Sequence, residues 1–169
     1  MKRLFIYLGM ALVVATGLRA EPPRQLDKAI PLPLALDDHF QFRKIKTFLN
    51  DPKYFTLTTD LMIRFERERM NYGAVDQADR TVLMGNYFTF FWRSDVKSDI
   101  TVRLEYRQEN LGSYVQAKEI SYTAAKGTMK TDFKVTGDDY RQDGRVIAWR
   151  ALLIQNGKIV GLTASNLWD

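Results

Sequence analysis

The chain has 169 residues, with 25 Lys and Arg against 20 Asp and Glu, and it has no cysteine. This length is typical of one domain with a core of its own, and the lack of cysteine excludes disulfides, thiolate metal sites and a cysteine-linked lipid anchor. The net charge is +5, and three of the basic residues lie in the first 20 positions. The other 149 residues carry 22 basic and 20 acidic side chains. This near balance does not favour a nucleic-acid binder.

The N-terminus has the three parts of a secretory signal. Lys2 and Arg3 precede a mostly apolar run over residues 4–18, and Leu18-Arg19-Ala20 offers a cleavage site that ends in a small residue. The apolar run is shorter than the roughly 20 residues that cross a bilayer. We therefore expect residues 1–20 to be a secretory signal peptide. The protein is then periplasmic or secreted, and it touches the membrane only through this segment before cleavage.

A proline-rich leader is expected to follow the signal. Residues 21–38 hold four of the five prolines, which disfavour both helices and central strands. Apolar residues alternate over residues 30–36, which predicts that this part lies along an edge of the domain. Over residues 42–49 the apolar spacing is helical, and the next three residues would end a short helix. The predicted organisation is a leader with this helix over residues 21–52 and a folded domain over residues 53–169.

The remaining sequence is dominated by strand patterns. Residues 60–70 fit either a helix or a strand, and we favour the strand. Residues 85–92 form an aromatic run typical of a strand. Strict alternation of apolar and polar residues predicts strands over residues 100–107 and 128–135. Between these two strands the apolar residues change phase, which predicts a β-bulge near Lys118-Glu119.

Turn chemistry completes the prediction of an all-β fold. Asn156-Gly157 joins two apolar runs and predicts a hairpin closed by a type I′ turn. The patterns together predict seven or eight strands joined by short turns, and therefore antiparallel neighbours. We predict an antiparallel β-sandwich, immunoglobulin- or fibronectin-like, with the short N-terminal helix. The alternative is a small β-barrel.

The sequence offers little acid–base chemistry. His39 is the sole histidine, and it follows two aspartates in the leader. A single histidine excludes a two-histidine metal motif, and we expect His39 to be an exposed polar residue rather than a catalytic one. We find no nucleophile elbow, phosphate-binding glycine loop or dinucleotide motif. The prediction is a protein with no catalytic residue, no metal and no cofactor.

The acidic segment over residues 137–144 partly matches the spacing of a calcium-binding loop. Two of the required ligand positions fall on Arg141 and Arg150, so the motif fails. A looser calcium site on residues 138, 139 and 143 stays open, but a solvated turn is the preferred interpretation. We expect Tyr140 to be a corner residue whose hydroxyl ties this turn to the backbone.

Three side chains are the candidate binding residues: Tyr87, Phe91 and Arg150. Tyr87 and Phe91 alternate with the other rings of the aromatic strand, and a row of exposed rings can stack sugars or grip a peptide. Large aromatic residues more often serve the core, so burial of both rings is the alternative. Arg150 shares its strand face with apolar residues, where it either pairs with a carboxylate or recognises an anion.

Four parts of the chain carry a resemblance. They are Asn71-Tyr72-Gly73-Ala74-Val75, residues 85–92, Gly137-Asp138-Asp139-Tyr140 with Ala148-Trp149-Arg150, and Ser165-Asn166-Leu167-Trp168. In these parts, and over about residues 55–169, the chain resembles uncharacterised exported proteins of Gram-negative bacteria. The resemblance implies a secreted β-rich protein and transfers no activity and no site residue.

Two functions follow as hypotheses. The first is an exported non-enzymatic envelope or periplasmic protein, an interaction or structural module with a protein partner. The second is a carbohydrate-binding or carbohydrate-active β-sandwich that binds a glycan and uses Glu105, Glu119 or Asp132 as carboxylates, although ordinary surface charge is the simpler interpretation of these three. A nucleic-acid partner is not expected, because basic and acidic residues are interleaved.

Overall fold

A computed structural model describes residues 20–54 and 60–168, so the predicted signal peptide lies, except for Ala20, outside the described residues. The strands and α-helices are, in chain order, β1 (Arg24–Leu26), β2 (Phe40–Asn50), α1 (Leu61–Met70), α2 (Gln77–Val82), β3 (Gly85–Gln108), β4 (Gln116–Thr136), α3 (Asp138–Asp143), β5 (Val146–Gln155) and β6 (Lys158–Ala164). Two short 3-10 turns, Pro52–Tyr54 and Glu109–Leu111, follow β2 and β3. None of the helices described here has the length and apolar composition needed to cross a membrane.

All six strands belong to one open antiparallel sheet built around the hairpin of β3 and β4. Strand β4 follows one side of β3, and on the other side β3 pairs first with β2 and then with β5. Strand β6 extends the sheet beyond β5, and β1 extends it beyond β4. The prediction of a mostly β protein with antiparallel strands is confirmed. The described strands form one sheet, however, and neither a sandwich of two sheets nor a closed barrel is seen among them.

The β3–β4 hairpin bends in its middle. The register between the strands shifts twice between Ser94 and Ile100 of β3, opposite Tyr122 to Gly127 of β4. Ala124 at this bend has a positive φ of 54°, and its N–H donates to the Asp99 carboxylate at 2.7 Å. Extra residues in a ladder bend a strand and increase its twist. The bend divides the sheet into a first half, around β2 and the start of β3, and a second half, around β5 and the end of β3.

The inner faces of the two halves share one hydrophobic core. Phe90 of the first half contacts Trp149 of the second, with ring centroids 5.5 Å apart. Trp92 likewise contacts Tyr122 at 5.4 Å, and both rings are buried. Such edge-to-face pairs add about 1 kcal/mol each beyond the area that they bury. Of the two sets of rings that alternate along the aromatic strand, the set at residues 88, 90 and 92 faces this core.

The predicted short helix over residues 42–49 is wrong, because these residues lie in β2. Its apolar spacing looked helical because a bulge between Phe42 and Lys44 changes the face to which the following residues point. Phe42 packs on Phe90 in the core, while Phe48 pairs with Tyr87 on the opposite face. A bulge inside a strand can thus imitate the helical period.

The preferred strand over residues 60–70 is also wrong, because this segment contains α1. Asp60 caps the helix by accepting the N–H of Met62 at 2.8 Å. Asp76 and Asp79 form a capping box at α2. Such caps satisfy backbone donors that a helix start would otherwise leave unpaired. Both helices lie in the connection between β2 and β3.

No bulge occurs at Lys118-Glu119, where the register with β3 is continuous. The apolar pattern changes phase there because both faces of β4 are covered. Ile120 and Tyr122 face the core, while Ala117 and Glu119 are buried on the opposite face. Burial on both sides removes the alternation from which strand faces are recognised.

The type I′ hairpin between β5 and β6 is confirmed. Asn156 and Gly157 have φ values of 49° and 73°, and the flanking residues Gln155 and Lys158 pair across the turn. Positive φ at both central residues matches the twist of the flanking strands.

The leader lies along two edges of the second half, as predicted for its later part. Of its four alternating apolar residues, however, Leu32 packs on the sheet while Ile30, Leu34 and Leu36 are exposed. Near its end, the N–H groups of Ala35 and Asp37 donate to the carbonyls of Ile159 and Val160 in β6, at 2.8 and 3.0 Å. Near its start, β1 pairs with β4. The leader thereby satisfies backbone groups that the edges of a sheet otherwise expose.

Replacing Gly85 with alanine should destabilise the protein by about 3 kcal/mol. The backbone conformation at this position is strained for any residue with a Cβ, and the added Cβ would clash with a neighbouring strand. Gly85 has a φ of 148°, and a Cβ there would lie 2.1 Å from the Val135 carbonyl oxygen. Gly157→Ala is the matched control, since its φ is 73° and no atom lies within 4 Å of the added Cβ. Urea unfolding should show the larger loss for Gly85→Ala, and equal losses would contradict the role of the close approach.

Candidate functional site

The structure separates the three candidate binding residues. Tyr87 and Phe91 lie on the outer face of the first half of the sheet, which points away from the core. Arg150 lies on the outer face of the second half, beside Glu105. The two outer faces differ in charge and burial.

Lysines flank both rings on the first outer face. The strand register places Lys44 of β2 and Lys130 of β4 on either side of Phe91. Lys134 of β4 neighbours Tyr87 on one side, and Phe48 of β2, also half-buried, neighbours it on the other. We call this surface the ring–lysine face, and it comprises Lys44, Lys46, Phe48, Tyr87, Thr89, Phe91, Lys130, Asp132 and Lys134.

The two rings are held in place but keep part of their surface accessible. Tyr87 and Phe91 are half-buried, whereas all four lysines of the face are exposed. The Tyr87 hydroxyl donates to the Leu83 carbonyl at 2.7 Å, and burial raises the pKa of this phenol. Tyr87 is therefore neutral at physiological pH. Four residues along one strand separate the rings by about 13 Å.

Positive charge exceeds negative charge on this face. Asp132 is its one acid, and it accepts a hydrogen bond from the Thr89 hydroxyl at 2.6 Å and pairs with Lys130 at 2.7 Å. Within the described part of the chain, the other three lysines of the face form no ion pair. Exposed charges of one sign attract ligands of the opposite sign over roughly a Debye length of 8–10 Å.

Two clefts open beside Tyr87. One has a volume of about 560 Å³ and lies on the β4 side, where Lys118 and Lys134 line it. The other, of about 430 Å³, lies between the sheet and α1, where Lys46 and Arg69 line it. Acidic side chains line the clefts as well, Asp132 and Asp139 in the first and Glu66 in the second. The surface around Tyr87 is thus concave on both sides and mixed in charge.

A chain of ion pairs covers the second outer face. Arg103 is 7 % exposed and contacts Glu119 at 2.6 Å and Glu105 at 3.4 Å. Glu105, 2 % exposed, also pairs with Arg150 at 2.7 Å, and Glu119 pairs with Arg24 of β1 at 3.0 Å. Arg150 therefore pairs with a carboxylate, the first of the two roles that its position suggested. We call these five residues the buried charge network.

The leader closes over this network. The Arg103 guanidinium donates to the Ile30 carbonyl at 3.0 Å, and Leu32 packs on an apolar cluster that includes Leu152. Glu105 and Glu119, expected on solvated faces, are instead buried. The apolar residues on the same face, such as Ala117 and Leu152, are the sequence signal that this face is buried, because a solvated face seldom carries several apolar residues.

The acidic segment after β4 forms α3 rather than the predicted turn, since two aspartates in its first turn favour a helix. Tyr140 does anchor this segment, but its hydroxyl donates to the Asp51 carboxylate at 2.6 Å and not to the backbone. Each acid of the predicted loop has its own partner: Arg141 for Asp138, Lys118 for Asp139 and Gln116 for Asp143. Over the described residues, no three His, Asp or Glu side chains converge as a metal-binding group.

Sequence reasoning selected Tyr87 and Phe91 but missed the lysines around them. Lys44 and Lys46 were hidden in the segment predicted as a helix. Their alternation with Ile45 and Thr47 is the signal that would have placed them on one face of a strand. A nucleic-acid partner would be indicated if Arg64, Arg67, Arg69 and Arg107 gathered on one side. The first three lie on α1, whereas Arg107 belongs to β3, with its guanidinium carbon 4.6 Å from the centroid of the Trp168 ring.

Comparison with known proteins adds no relative: no protein family matches this sequence, and no curated protein or solved structure shows significant similarity to it.

Removing the central cation of the buried charge network should loosen the leader. Arg103→Met leaves Glu105 and Glu119 buried with less compensation, which should cost about 3–5 kcal/mol in the free energy of unfolding. It also deletes the hydrogen bond to Ile30. Trypsin should then cut faster after the exposed Lys28.

Arg145→Met, which removes a more exposed pair with Glu109 at 3.4 Å, is the control and should change stability by less than about 1 kcal/mol. Unchanged cleavage at Lys28 would show that the network does not hold the leader.

His39 should titrate above its ordinary pKa of 6.5, because its ring nitrogen bonds the Asp37 carboxylate at 2.7 Å. The same contact lowers the pKa of Asp37. The raised histidine pKa means that the pair stabilises the fold below pH 6.5 and that this contribution is lost as the pH rises through the folded-state pKa. NMR titration of the single histidine should show a lower pKa in Asp37→Asn and a smaller change in Asp38→Asn. Equal changes in both variants would mean that Asp37 has no special role.

Proposed function

We propose that this protein is an exported, non-enzymatic interaction module of the cell envelope, periplasmic or secreted, and that the ring–lysine face is its contact surface. The observation that carries the proposal is the arrangement of two half-buried rings among lysines, three of which have no ion-pair partner in the described part of the chain. The leader, which covers the second half of the sheet, supports the choice because its bonds to the edges leave this face uncovered.

The two residue types contribute differently to binding. Tyr and Phe offer rigid apolar contact area at little cost in side-chain entropy. Exposed lysines accelerate encounter with acidic partners and select against basic ones. A surface that combines both fits an acidic partner, and it needs no catalytic group.

The positions of the acidic residues support a binding role rather than sugar hydrolysis. Glu105 and Glu119 are buried and bound to arginines, so neither is free to act as the acid or base of sugar cleavage. His39 is exposed and paired with Asp37. These placements favour a module that recognises its ligand and leaves it unchanged.

Carbohydrate binding is the alternative, and one observation favours it. Asp132 lies on the ring–lysine face beside Thr89, so rings, hydroxyl and carboxylate occur together there. Rings can stack on sugars, and carboxylates accept hydrogen bonds from sugar hydroxyls.

Removing both rings should abolish capture of the partner without unfolding the protein. The tagged protein is cross-linked in intact cell envelopes and purified, and bound proteins and glycans are identified by mass spectrometry. Tyr87→Ala combined with Phe91→Ala should lose the ligand that the wild type captures. Tyr72→Ala, which removes a ring that is 91 % exposed on another surface, should keep it.

Two results would contradict the assignment. Undiminished capture by the double variant would place the contact elsewhere. A fall of more than about 10 °C in its melting temperature would assign the rings to the core, because loss of a surface contact leaves stability within about 0.5 kcal/mol.

A further inference from the structure

We infer that the ligand of the ring–lysine face is an acidic polysaccharide, a linear chain of carboxylate-bearing sugars lying along β3. This inference rests on the proposed function for the contact surface, and for the ligand it takes the carbohydrate that was given above as the alternative to a protein partner. It follows from three features: the linear arrangement of the rings, the lysines on both flanks and the position of Asp132.

The rings form a line with basic flanks. Tyr87, Thr89 and Phe91 follow one another along β3, with the small threonine between the two rings. The neighbouring strands run about 5 Å to each side and carry lysines at both flanks. An extended polymer lying on this line stacks sugars on two rings about 13 Å apart. Its carboxylates, which project to either side, then meet the lysines.

The centre of the face suits a ligand that carries hydroxyl groups. Asp132 is exposed between Lys130 and Lys134, and although it pairs with Lys130 and accepts from Thr89, each of its oxygens has a further lone pair that can accept a hydrogen bond from a ligand. Acidic side chains and lipid phosphates bring only acceptors at neutral pH, so they gain nothing from this carboxylate. Sugars bring O–H donors as well as carboxylates. A mixed set of lysines, one acid and two rings therefore matches an acidic sugar better than another polyanion.

Strand addition does not explain this face. At residues 85–94, β3 lies between β2 and β4 and uses its backbone donors and acceptors within the sheet. A peptide that binds by adding a strand needs a free edge. An acidic peptide on this face would have to bind through side chains alone.

The clefts at Tyr87 allow a long ligand to continue past the sheet. The larger one, of about 560 Å³, holds Lys118 and Lys134, and the smaller one, of about 430 Å³, holds Lys46 and Arg69. Volumes of this order accommodate one or two sugar residues. Lys118 pairs with Asp139 and Arg69 pairs with Glu66, so the unpaired cationic groups in the clefts, among the described residues, are Lys134 and Lys46 of the ring–lysine face.

The test measures binding of the full chain, purified from the fraction to which it is exported, to four probes by calorimetry. Polygalacturonate supplies acidic sugars, dextran neutral sugars, poly-glutamate a peptide polyanion, and phosphatidylglycerol vesicles an anionic lipid surface. Polygalacturonate should bind at least about tenfold more tightly than each of the others. Raising the salt concentration should weaken it, because exposed lysines carry the attraction.

Variants separate the contributions of ring, charge and hydroxyl recognition. Phe91→Ala should weaken polygalacturonate binding about tenfold. Lys44→Glu combined with Lys46→Glu should weaken it by a similar factor, while Lys158→Glu, at the exposed β5–β6 turn, should not change it. Asp132→Asn should weaken polygalacturonate about tenfold but should leave poly-glutamate binding equal or stronger, because the sugar hydroxyls donate to this carboxylate whereas the glutamate side chains bring only acceptors.

Each other outcome overturns the inference and identifies what fails. If poly-glutamate binds as tightly as polygalacturonate, or Asp132→Asn strengthens both, the ligand is an acidic protein and only the ligand class is wrong. Preference for the vesicles assigns the face to a membrane surface. If no probe binds, a protein captured from envelopes and lost in the ring variant keeps the proposed function, whereas undiminished capture by that variant removes both proposals. Circular dichroism of each variant confirms that it is folded.

Discussion

The bend in the β3–β4 hairpin is the constraint on which the rest of the structure depends. A single open sheet has two faces and would leave one of them without a partner, since no long helix is available among the described residues to cover it. Bending at Ser94 and Gly127 lets the sheet cover itself, with Phe90 on Trp149 and Trp92 on Tyr122. The core thus requires no second sheet, and both outer faces become available for other roles.

The two outer faces show two solutions for charge on a β-sheet. On the second half, arginines and glutamates neutralise one another under the leader, and Arg103 is nearly inaccessible. On the first half, lysines point into solvent around rings that are only partly covered. Buried ion pairs fix the positions of their side chains, but the cost of desolvation offsets much of their attraction. Exposed unpaired charges are accessible to a ligand. Charged side chains are therefore paired with one another on one half of the sheet and left accessible on the other.

Sequence periodicity predicted the strands whose two faces differ, and it failed where that difference disappears. The alternation around Phe88 and Phe90 separated the rings that face the core from those that do not, and Asn156-Gly157 specified its turn because local backbone geometry decides it. Strand β2 was mistaken for a helix because one bulge shifts its faces, and Glu105 was taken for surface charge because its burial depends on the distant leader. Tyr87 and Phe91 were selected from alternation, but the lysines around them belong to strands far away in sequence. Their grouping follows only from the register of three strands.

The leader also affects whether copies of this protein can associate through their sheet edges. Its hydrogen bonds to β6 and the pairing of β1 with β4 occupy two strand edges that would otherwise present rows of free backbone donors and acceptors. An uncovered edge next to apolar residues such as Ile159 is a template for pairing between copies. A chain in which the leader is absent or detached therefore carries its own site for self-association. Protection of these edges thus depends on a proline-rich segment that contributes only three residues in regular strand to the sheet.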